Sequence, residues 1–193
     1  SPLFHGCYPE HGLRLHGAAA PACTAEQMKT IQQPLDFLGL NIYNGVYCRR
    51  DAAGGVETLP FPAGFPQTHN NWNVMPAALR WGPYFAHEHS RLPIVITENG
   101  MAGHDWPALD GQVHDAQRID FLGRYLREFR RAIADGVPAL GYFAWSLMDN
   151  FEWAEGYRYR FGLVHVDYAT QKRTPKDSAL WYRDVIRTNG AKL

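Results

Sequence analysis

Apolar positions along the chain form two kinds of pattern, continuous runs and helical spacing. Continuous β-branched or aromatic runs at residues 36–47, 94–97 and 139–145 predict three largely buried strands. Between the last two runs, apolar residues recur at spacings of three and four, which predicts an amphipathic helix ended by Gly136. The residues of this apolar stripe are Ile119, Leu122, Leu126, Phe129 and Ile133.

Helix boundaries are signalled near both ends of the chain. Residues 24–27, TAEQ, have the form of a capping box, so a short helix is predicted there that ends before Pro34. Thr174 and Pro175 predict an N-cap and a first helical position for a final helix through Arg187.

The remaining segments predict loops and one interrupted helix. A helix is expected to begin at Pro76, and Pro83, which follows a glycine, is expected to break or kink it. Residues 51–75 are rich in Gly, Pro and Asn and predict a long loop, and a polar and aromatic loop is predicted after residue 145. The resulting order, a strand followed by a helix three times, favours a parallel α/β architecture.

Polar side chains follow each predicted strand at its carboxyl end. Asn41 and Tyr43 end the first strand, Glu98 follows the second, and the third leads into WSLMDNFEW at residues 145–153. In parallel α/β folds, the carboxyl ends of the strands meet where the chemistry takes place. A carboxylate after a buried strand is costly unless it is paired or used, so Glu98 is a candidate functional group.

Composition and charge narrow the classes of function. The 193 residues are 46% hydrophobic and 13% aromatic, which is typical of a globular chain. Nineteen Lys plus Arg balance nineteen Asp plus Glu, so neither nucleic acid nor a membrane is predicted as a partner. The arginines of the central predicted helix are expected to form a solvated face. They are Arg118, Arg124, Arg127, Arg130 and Arg131.

The cysteine and histidine residues predict no metal site, and no cofactor is expected. Cys7, Cys23 and Cys48 are odd in number and widely spaced, which fits neither a disulfide framework nor a zinc pattern. Free thiols are typical of a reducing compartment, so a cytoplasmic location is predicted. The first ten residues lack an initiator Met and the features of a signal peptide, so the natural start is expected elsewhere.

Four segments carry a resemblance to a known family: DFLGLNIY at 36–43, PIVITENG at 93–100, GYFAWSLMDNFEWAEGY at 141–157 and RFGLVHVDY at 160–168. On these segments the chain closely resembles glycoside hydrolase family 1, the β-glucosidase and β-galactosidase family. TENG alone is a short motif, but TENG followed by DNFEW in this order is very specific. KRTPKDSALWY at 172–182 extends the resemblance, and SPLFHGCYPE at the start is similar to the stretch before the family's sixth strand.

The resemblance implies the carboxyl-terminal part of a (β/α)8 TIM barrel, with the three predicted strands as its sixth, seventh and eighth. A complete barrel needs about 250 residues, so residues 1–193 are expected to form a single partial domain that is incomplete by itself. The expected partner is the amino-terminal barrel half, as the same gene product, a cut partner or a separate subunit. Self-association is the alternative, because open strand edges invite pairing.

The resemblance also implies a retaining β-glycosidase that hydrolyses unphosphorylated β-glucosides or β-galactosides through a covalent glycosyl-enzyme. Glu98 resembles the nucleophile, and Tyr43 and Asn41 resemble its polar neighbours. The family's acid/base is the Glu of an Asn-Glu-Pro motif in the amino-terminal half, and these 193 residues do not contain that motif. The chain alone is therefore expected to be inactive.

Five further residues resemble the family's substrate-binding groups. Glu152 and Trp153 resemble a sugar-binding pair whose carboxylate and indole N–H bind hydroxyl groups. Trp145 resembles the aromatic platform under the sugar ring, Phe161 is expected to close the same subsite, and Trp72 to line the aglycone side. A role in packing alone is the alternative for each of these aromatic residues. Glu152 would repel a phosphate group, which is the reason for expecting unphosphorylated sugars.

Two alternatives for the function stay open at this point. One is a non-hydrolytic sugar-binding or interaction module derived from the same family, because a chain without the acid/base loses about 10²–10⁴-fold in rate. The other keeps the nucleophile but replaces the acid/base, as in the family's thioglucosidase branch.

Overall fold

The computed structural model describes residues 1–193 and has a three-stranded parallel sheet at its centre. The strands are β1 Leu38–Asn41, β2 Tyr47–Arg50, β3 Val56–Leu59, β4 Ile94–Asn99, β5 Ala139–Ala144, β6 Val164–Val166 and β7 Arg173–Pro175. The helices are α1 Pro2–His5, α2 Glu10–His16, α3 Ala25–Ile31, α4 Ala78–Ser90, α5 Ala116–Ala134 and α6 Asp177–Arg187. None of these helices has both the length and the apolar character needed to cross a membrane.

Strands β1, β4 and β5 form the central sheet in that order, so β4 has a neighbour on both sides. Both pairs are parallel. Helix α4 leads into β4, and α5 connects β4 to β5. This alternation confirms the predicted parallel α/β architecture. Strands β1 and β5 each have one neighbour only, which leaves the sheet with two open edges.

The two faces of the sheet differ in burial because side chains alternate along each strand. Ile94 and Ile96 of β4 are fully buried in the core between the sheet and helices α4 and α5. The opposite side, which we call the open sheet face, is formed by Gly39, Thr97 and Phe143. Thr97 and Phe143 are exposed there, so this face lacks a covering layer within the chain.

Helix α5 confirms the predicted amphipathic helix and supplies more of the core than any other element. Phe121, Leu122 and Phe129 are buried against the sheet. Ile133, the last residue of the predicted stripe, is 48% exposed, whereas Ala132 beside it is fully buried. Gly136 follows the helix with a φ of 102°, the left-handed conformation expected of a residue that ends a helix.

The other helix-boundary predictions have mixed outcomes. The capping box is confirmed, because Gln27 N donates to Thr24 Oγ1 at 3.2 Å and the Gln27 side chain accepts from Thr24 N at 2.9 Å. Helix α4 begins two residues after Pro76 and continues through Pro83, so the predicted start and the predicted break at Pro83 are wrong. Pro83 is fully buried, and its packing offsets the one backbone hydrogen bond that proline cannot make.

Two antiparallel hairpins form where the sequence predicted loops. Strands β2 and β3 pair with each other, so β3 lies inside the predicted loop 51–75 and Tyr47 belongs to β2 rather than to the first parallel strand. Their residues are mostly exposed, so no apolar pattern marked them. Strands β6 and β7 form the second hairpin. Thr174 and Pro175 lie in β7, so the predicted N-cap of α6 is wrong and Lys176 takes that position.

Candidate active site

Glu98 is the fifth residue of β4, the central strand, which extends to residue 99 and is longer than predicted. The Tyr43 hydroxyl donates a hydrogen bond to Glu98 Oε2 at 2.6 Å. Asn41 lies opposite Glu98 in the parallel register, and its Oδ1 accepts a hydrogen bond from Thr97 Oγ1 at 2.6 Å. Tyr43 and Asn41 therefore both lie at the same end of the sheet as Glu98, and Tyr43 is the one that bonds to its carboxylate.

Tyr43 is held in place by helix α5. Its backbone carbonyl accepts a hydrogen bond from the Tyr125 hydroxyl at 2.9 Å, and that hydroxyl accepts one from Met75 N at 2.7 Å. Burial, followed by the hydrogen bond to Glu98 and its charge, raises the pKa of Tyr43 well above the usual value. The phenol stays protonated and is a hydrogen-bond donor toward Glu98.

Asn99 and Gly100 fix the end of β4 against its neighbours. Asn99 is fully buried, its Nδ2 donates to the carbonyl of Ile42 at 2.8 Å, and its Oδ1 accepts from the Tyr142 hydroxyl at 2.6 Å. A Cβ atom on Gly100 would lie 1.8 Å from the carbonyl oxygen of Trp145, so a side chain does not fit there. Sequence reasoning gave Asn99 no role. A polar residue at the end of a buried strand needs hydrogen-bond partners, and this rule could have identified Asn99 in the sequence.

Glu152 is the second carboxylate at this end of the sheet. It lies on the segment after β5, whose Trp145–Ser146 peptide bond is cis. The pKa of Glu152 is raised, mainly by burial and also by the charge of Glu98. A hydrogen bond with the Trp145 side chain opposes this shift. Glu152 Oε2 is buried without a hydrogen-bond partner, so this oxygen can accept one from a bound hydroxyl group.

Aromatic rings line the side of the site next to Tyr43. The ring centroid of Trp72 lies 5.0 Å from that of Tyr43, and the centroid of Phe161 lies 6.0 Å from that of Trp72. Phe161 is buried and Trp145 packs against the same cluster. Trp153 is 81% exposed and lies outside it. Four of the five aromatic side chains predicted for the site therefore lie together, and Trp153 lies at the surface. The four are Tyr43, Trp72, Trp145 and Phe161.

A buried charge network, which the sequence reasoning missed, joins the loops behind the site. It contains three carboxylates and three cations: Asp105, Asp115, Asp149, Arg118, Arg160 and Lys176. The prediction that Arg118 is solvated is wrong, because its side chain is 2% exposed and pairs with both Asp105 and Asp115. The structure contains no group of three or more His, Cys, Asp or Glu side chains placed to hold a metal ion.

Comparison with known proteins then decides the family. The family model for glycosyl hydrolase family 1 matches residues 1–191. The chain belongs to glycosyl hydrolase family 1. The resemblance carried by the TENG and DNFEW segments is therefore confirmed. Among relatives in this family, β-glucosidase A of Thermotoga maritima is 42% identical over 191 residues, and a β-glucosidase of an Agrobacterium species is 46% identical over 186 residues.

These relatives in glycosyl hydrolase family 1 are longer than this chain. The match to the Thermotoga maritima enzyme covers 98% of this chain and 43% of that protein, and the match to the Agrobacterium enzyme covers 94% and 40%. The solved structure of the Thermotoga maritima β-glucosidase in complex with glucoimidazole has a TM-score of 0.87 and 43% identity, and the match covers 98% of this chain and 43% of that one. The chain spans less than half the length of these relatives, and its fold is a partial α/β barrel.

Proposed function

We propose that this chain is the nucleophile-bearing part of a retaining β-glycosidase that acts on unphosphorylated β-glucosides or β-galactosides. The observation that carries the proposal is the Glu98 carboxylate. It is held by the Tyr43 hydroxyl at 2.6 Å on the central strand and is close enough to Glu152 for their charges to interact. The names of the relatives, β-glucosidases, support the substrate class.

In the proposed reaction, Glu98 attacks the anomeric carbon while the bond from that carbon to the leaving oxygen breaks. A second carboxylic acid protonates the leaving oxygen, and the same group then takes a proton from the water that releases the sugar. We assign Glu152 to sugar binding rather than to this role. The acid/base is therefore proposed to come from barrel segments that the relatives have beyond the region matched by this chain.

The barrel assignment rests on the family resemblance, and the open edges of the sheet are compatible with it. Strands β1, β4 and β5 are proposed to be the sixth, seventh and eighth strands, so that β1 and β5 pair with strands of the amino-terminal half. That half is supplied by the same gene product, by a cut partner or by a separate subunit. We call this chain together with that half the complete barrel.

The glycone subsite is proposed to combine one carboxylate with aromatic surfaces. Glu152 Oε2 has no partner in the chain and would accept hydrogen bonds from sugar hydroxyls. Trp145 would lie under the sugar ring, Phe161 and Trp72 beside it, and the exposed Trp153 would offer its indole N–H. Because Glu152 would repel a phosphate group, we expect a lower kcat/KM for 6-phosphoglycosides than for the unphosphorylated sugars.

The nucleophile assignment is tested by Glu98→Ala in the complete barrel. Hydrolysis of an aryl β-glucoside is expected to fall by at least about 10⁴-fold, because a nucleophile has no substitute in the covalent route. Sodium azide is expected to restore part of the rate by attacking from the vacated side. The product, identified by NMR, would be a glycosyl azide with the anomeric configuration opposite to that of the substrate.

The matched control for this test is Glu155→Ala, which removes an exposed carboxylate from the segment that also carries Glu152. This variant is expected to keep normal activity. Near-normal hydrolysis by the Glu98→Ala variant would refute the nucleophile assignment. An unsubstituted complete barrel that binds a glucose-like inhibitor without hydrolysing any β-glycoside would instead favour the sugar-binding alternative.

A further inference from the structure

One lysine contacts both the loop that follows the strand of Glu98 and the loop that leads to Glu152. The loop after β4, the strand of Glu98, contains Asp105. The loop after β5 contains Asp149 and leads to Glu152. Lys176, the N-cap residue of α6, donates to Asp105 Oδ2 at 2.6 Å and to Asp149 Oδ1 at 2.8 Å.

Each of the two carboxylates also pairs with a different arginine. Asp105 pairs with Arg118 at 2.6 Å and Asp149 pairs with Arg160 at 2.5 Å. Lys176 is the cation that the two carboxylates share, and its side chain is 0% exposed. Burial and the charge of Arg118 lower the pKa of Lys176, and the two carboxylates oppose that shift.

The same network holds the backbone around the loops. Gly162 N donates to Asp149 Oδ1 at 3.0 Å. The carbonyl of Arg160 accepts from Arg118 Nη2 at 2.9 Å and from Gly103 N at 3.0 Å. Gly103 belongs to the loop after β4, and Asp149 belongs to the loop after β5. Both loops are therefore hydrogen-bonded to residues 160–162. Lys176 joins the two side chains directly across this arrangement.

Stability alone is a weak reason for a lysine at this place. The attraction in a buried ion pair is largely offset by the cost of removing both charges from water. Asp105 and Asp149 would each keep an arginine partner if Lys176 were absent. What Lys176 adds is a fixed separation between two carboxylates that belong to different loops.

We propose that Lys176 is a positioning residue that sets the spacing between the loop following Glu98 and the loop leading to Glu152. This inference rests on the proposed function, since the spacing matters to catalysis only if both carboxylates act on one sugar. Lys176 does not touch the sugar and acts through Asp105 and Asp149. A displacement of about 1 Å in such a site can lower the rate about 100-fold.

The first test measures hydrogen exchange by mass spectrometry on the complete barrel. Lys176→Met keeps the length of the side chain and removes its charge. It is expected to speed exchange at least about tenfold in residues 100–106 and 145–152, because both loops lose their shared contact. If the single variant folds poorly, a second variant, Lys176→Met with Asp105→Asn, replaces it, because it removes one positive and one negative buried charge. This variant is expected to show the same acceleration of hydrogen exchange.

The matched control is Arg80→Met. It removes a 2.7 Å ion pair with Asp135, which joins α4 to the end of α5 and does not involve either loop. Exchange in residues 100–106 and 145–152 is expected to stay unchanged in this variant. A general loss of stability in Lys176→Met would speed exchange throughout the chain, whereas loosening of the two loops is expected to be confined to residues 100–106 and 145–152.

The second test is kinetic. Lys176→Met is expected to lower kcat about 10- to 100-fold with a smaller change in KM, because the reacting groups are misplaced rather than removed. In a Glu152→Gln background, the same substitution is expected to have a clearly smaller effect. Such coupling in a double-mutant cycle is what two residues acting through one loop produce.

The outcomes separate this inference from the proposed function. Unchanged exchange in both loops, or kinetic effects of Lys176→Met and Glu152→Gln that simply multiply, would overturn the positioning role. An unsubstituted complete barrel without glycosidase activity would contradict the proposed function. In that case the exchange experiment would still decide whether Lys176 holds the two loops together.

Discussion

At the scale of single residues, the hydrogen bond between Tyr43 and Glu98 joins β4 to the segment that follows β1. The phenol reaches the carboxylate at 2.6 Å, and burial together with Glu98 keeps the pKa of Tyr43 high. A hydrogen bond to a charged group contributes about 1.5–3 kcal/mol. In the proposed mechanism the carboxylate loses its charge when the glycosyl-enzyme forms, so Tyr43 both orients Glu98 before attack and supports its return as the leaving group.

Tyr43→Phe is therefore expected to lower kcat/KM of the complete barrel about 10- to 100-fold, the range that corresponds to the loss of one such bond. The fold is expected to persist, because the ring keeps its packing against Trp72 at 5.0 Å. Steady-state kinetics with an aryl β-glucoside measures the effect. Tyr157→Phe, which removes an exposed hydroxyl, is the control. Unchanged activity after Tyr43→Phe would show that the phenol is dispensable.

Single residues were predictable from the sequence where one continuous segment carries the chemistry. Glu98 and Glu152 stand out because each lies in a short motif directly after an apolar run. Partners that come from distant segments were not predictable, because no local pattern encodes them. The burial of Arg118 depends on Asp105 and Asp115, and in the sequence it was one of several arginines on an amphipathic helix.

At the scale of elements, the close approach between the ends of β4 and β5 shapes the site. Gly100 follows β4, and the carbonyl of Trp145 occupies the space where its side chain would lie. Trp145 N also donates to the carbonyl of Asn99 at 2.8 Å. Any side chain at Gly100 would separate the two strand ends, of which one carries Glu98 and the other leads to Glu152.

Gly100→Ala is expected to lower the free energy of unfolding of the complete barrel by about 1–3 kcal/mol through overpacking. Gly123→Ala is the matched control. Its Cβ would meet Trp181 at 3.7 Å, an ordinary contact, and alanine in the interior of α5 is expected to raise stability by about 0.5–1 kcal/mol. Denaturant unfolding of both variants measures the difference. Effects of the same sign and size would contradict this account.

Elements were predictable in proportion to the strength of their pattern. Helix α5 has a long apolar stripe and strands β4 and β5 have continuous apolar runs, so all three were found. The hairpin strands β2 and β3 have mostly exposed residues and no apolar pattern, so the sequence does not predict them. In α4, burial of Pro83 outweighed the local preference of proline, which is a property of the tertiary packing and not of the sequence around it.

At the scale of the whole molecule, the central sheet has two unpaired edges and one uncovered face. Strands β1 and β5 have open edges, and the open sheet face exposes Phe143 at 62%. Unpaired edges next to exposed apolar side chains favour association with another chain. The fold class was predictable because the motifs identify the family.

The chain in purified material is therefore expected to associate rather than persist as a well-packed monomer. Native mass spectrometry is expected to find the 21.9 kDa chain either with a larger polypeptide or in multiples of itself. Denatured intact mass then identifies each component. A sharp monomer peak with native-like near-ultraviolet circular dichroism would contradict the expectation.

The central position of β4 has a consequence for how such sequences can evolve. Because both neighbours of β4 lie in this chain, Tyr43, Glu98 and Glu152 are inherited together as one block of coding sequence. Recombination between homologous genes ahead of β1 would transfer the proposed nucleophile and sugar recognition intact. In the proposed function the acid/base comes from the other half, so the recipient would keep its own and the two halves of the proposed chemistry could be exchanged independently.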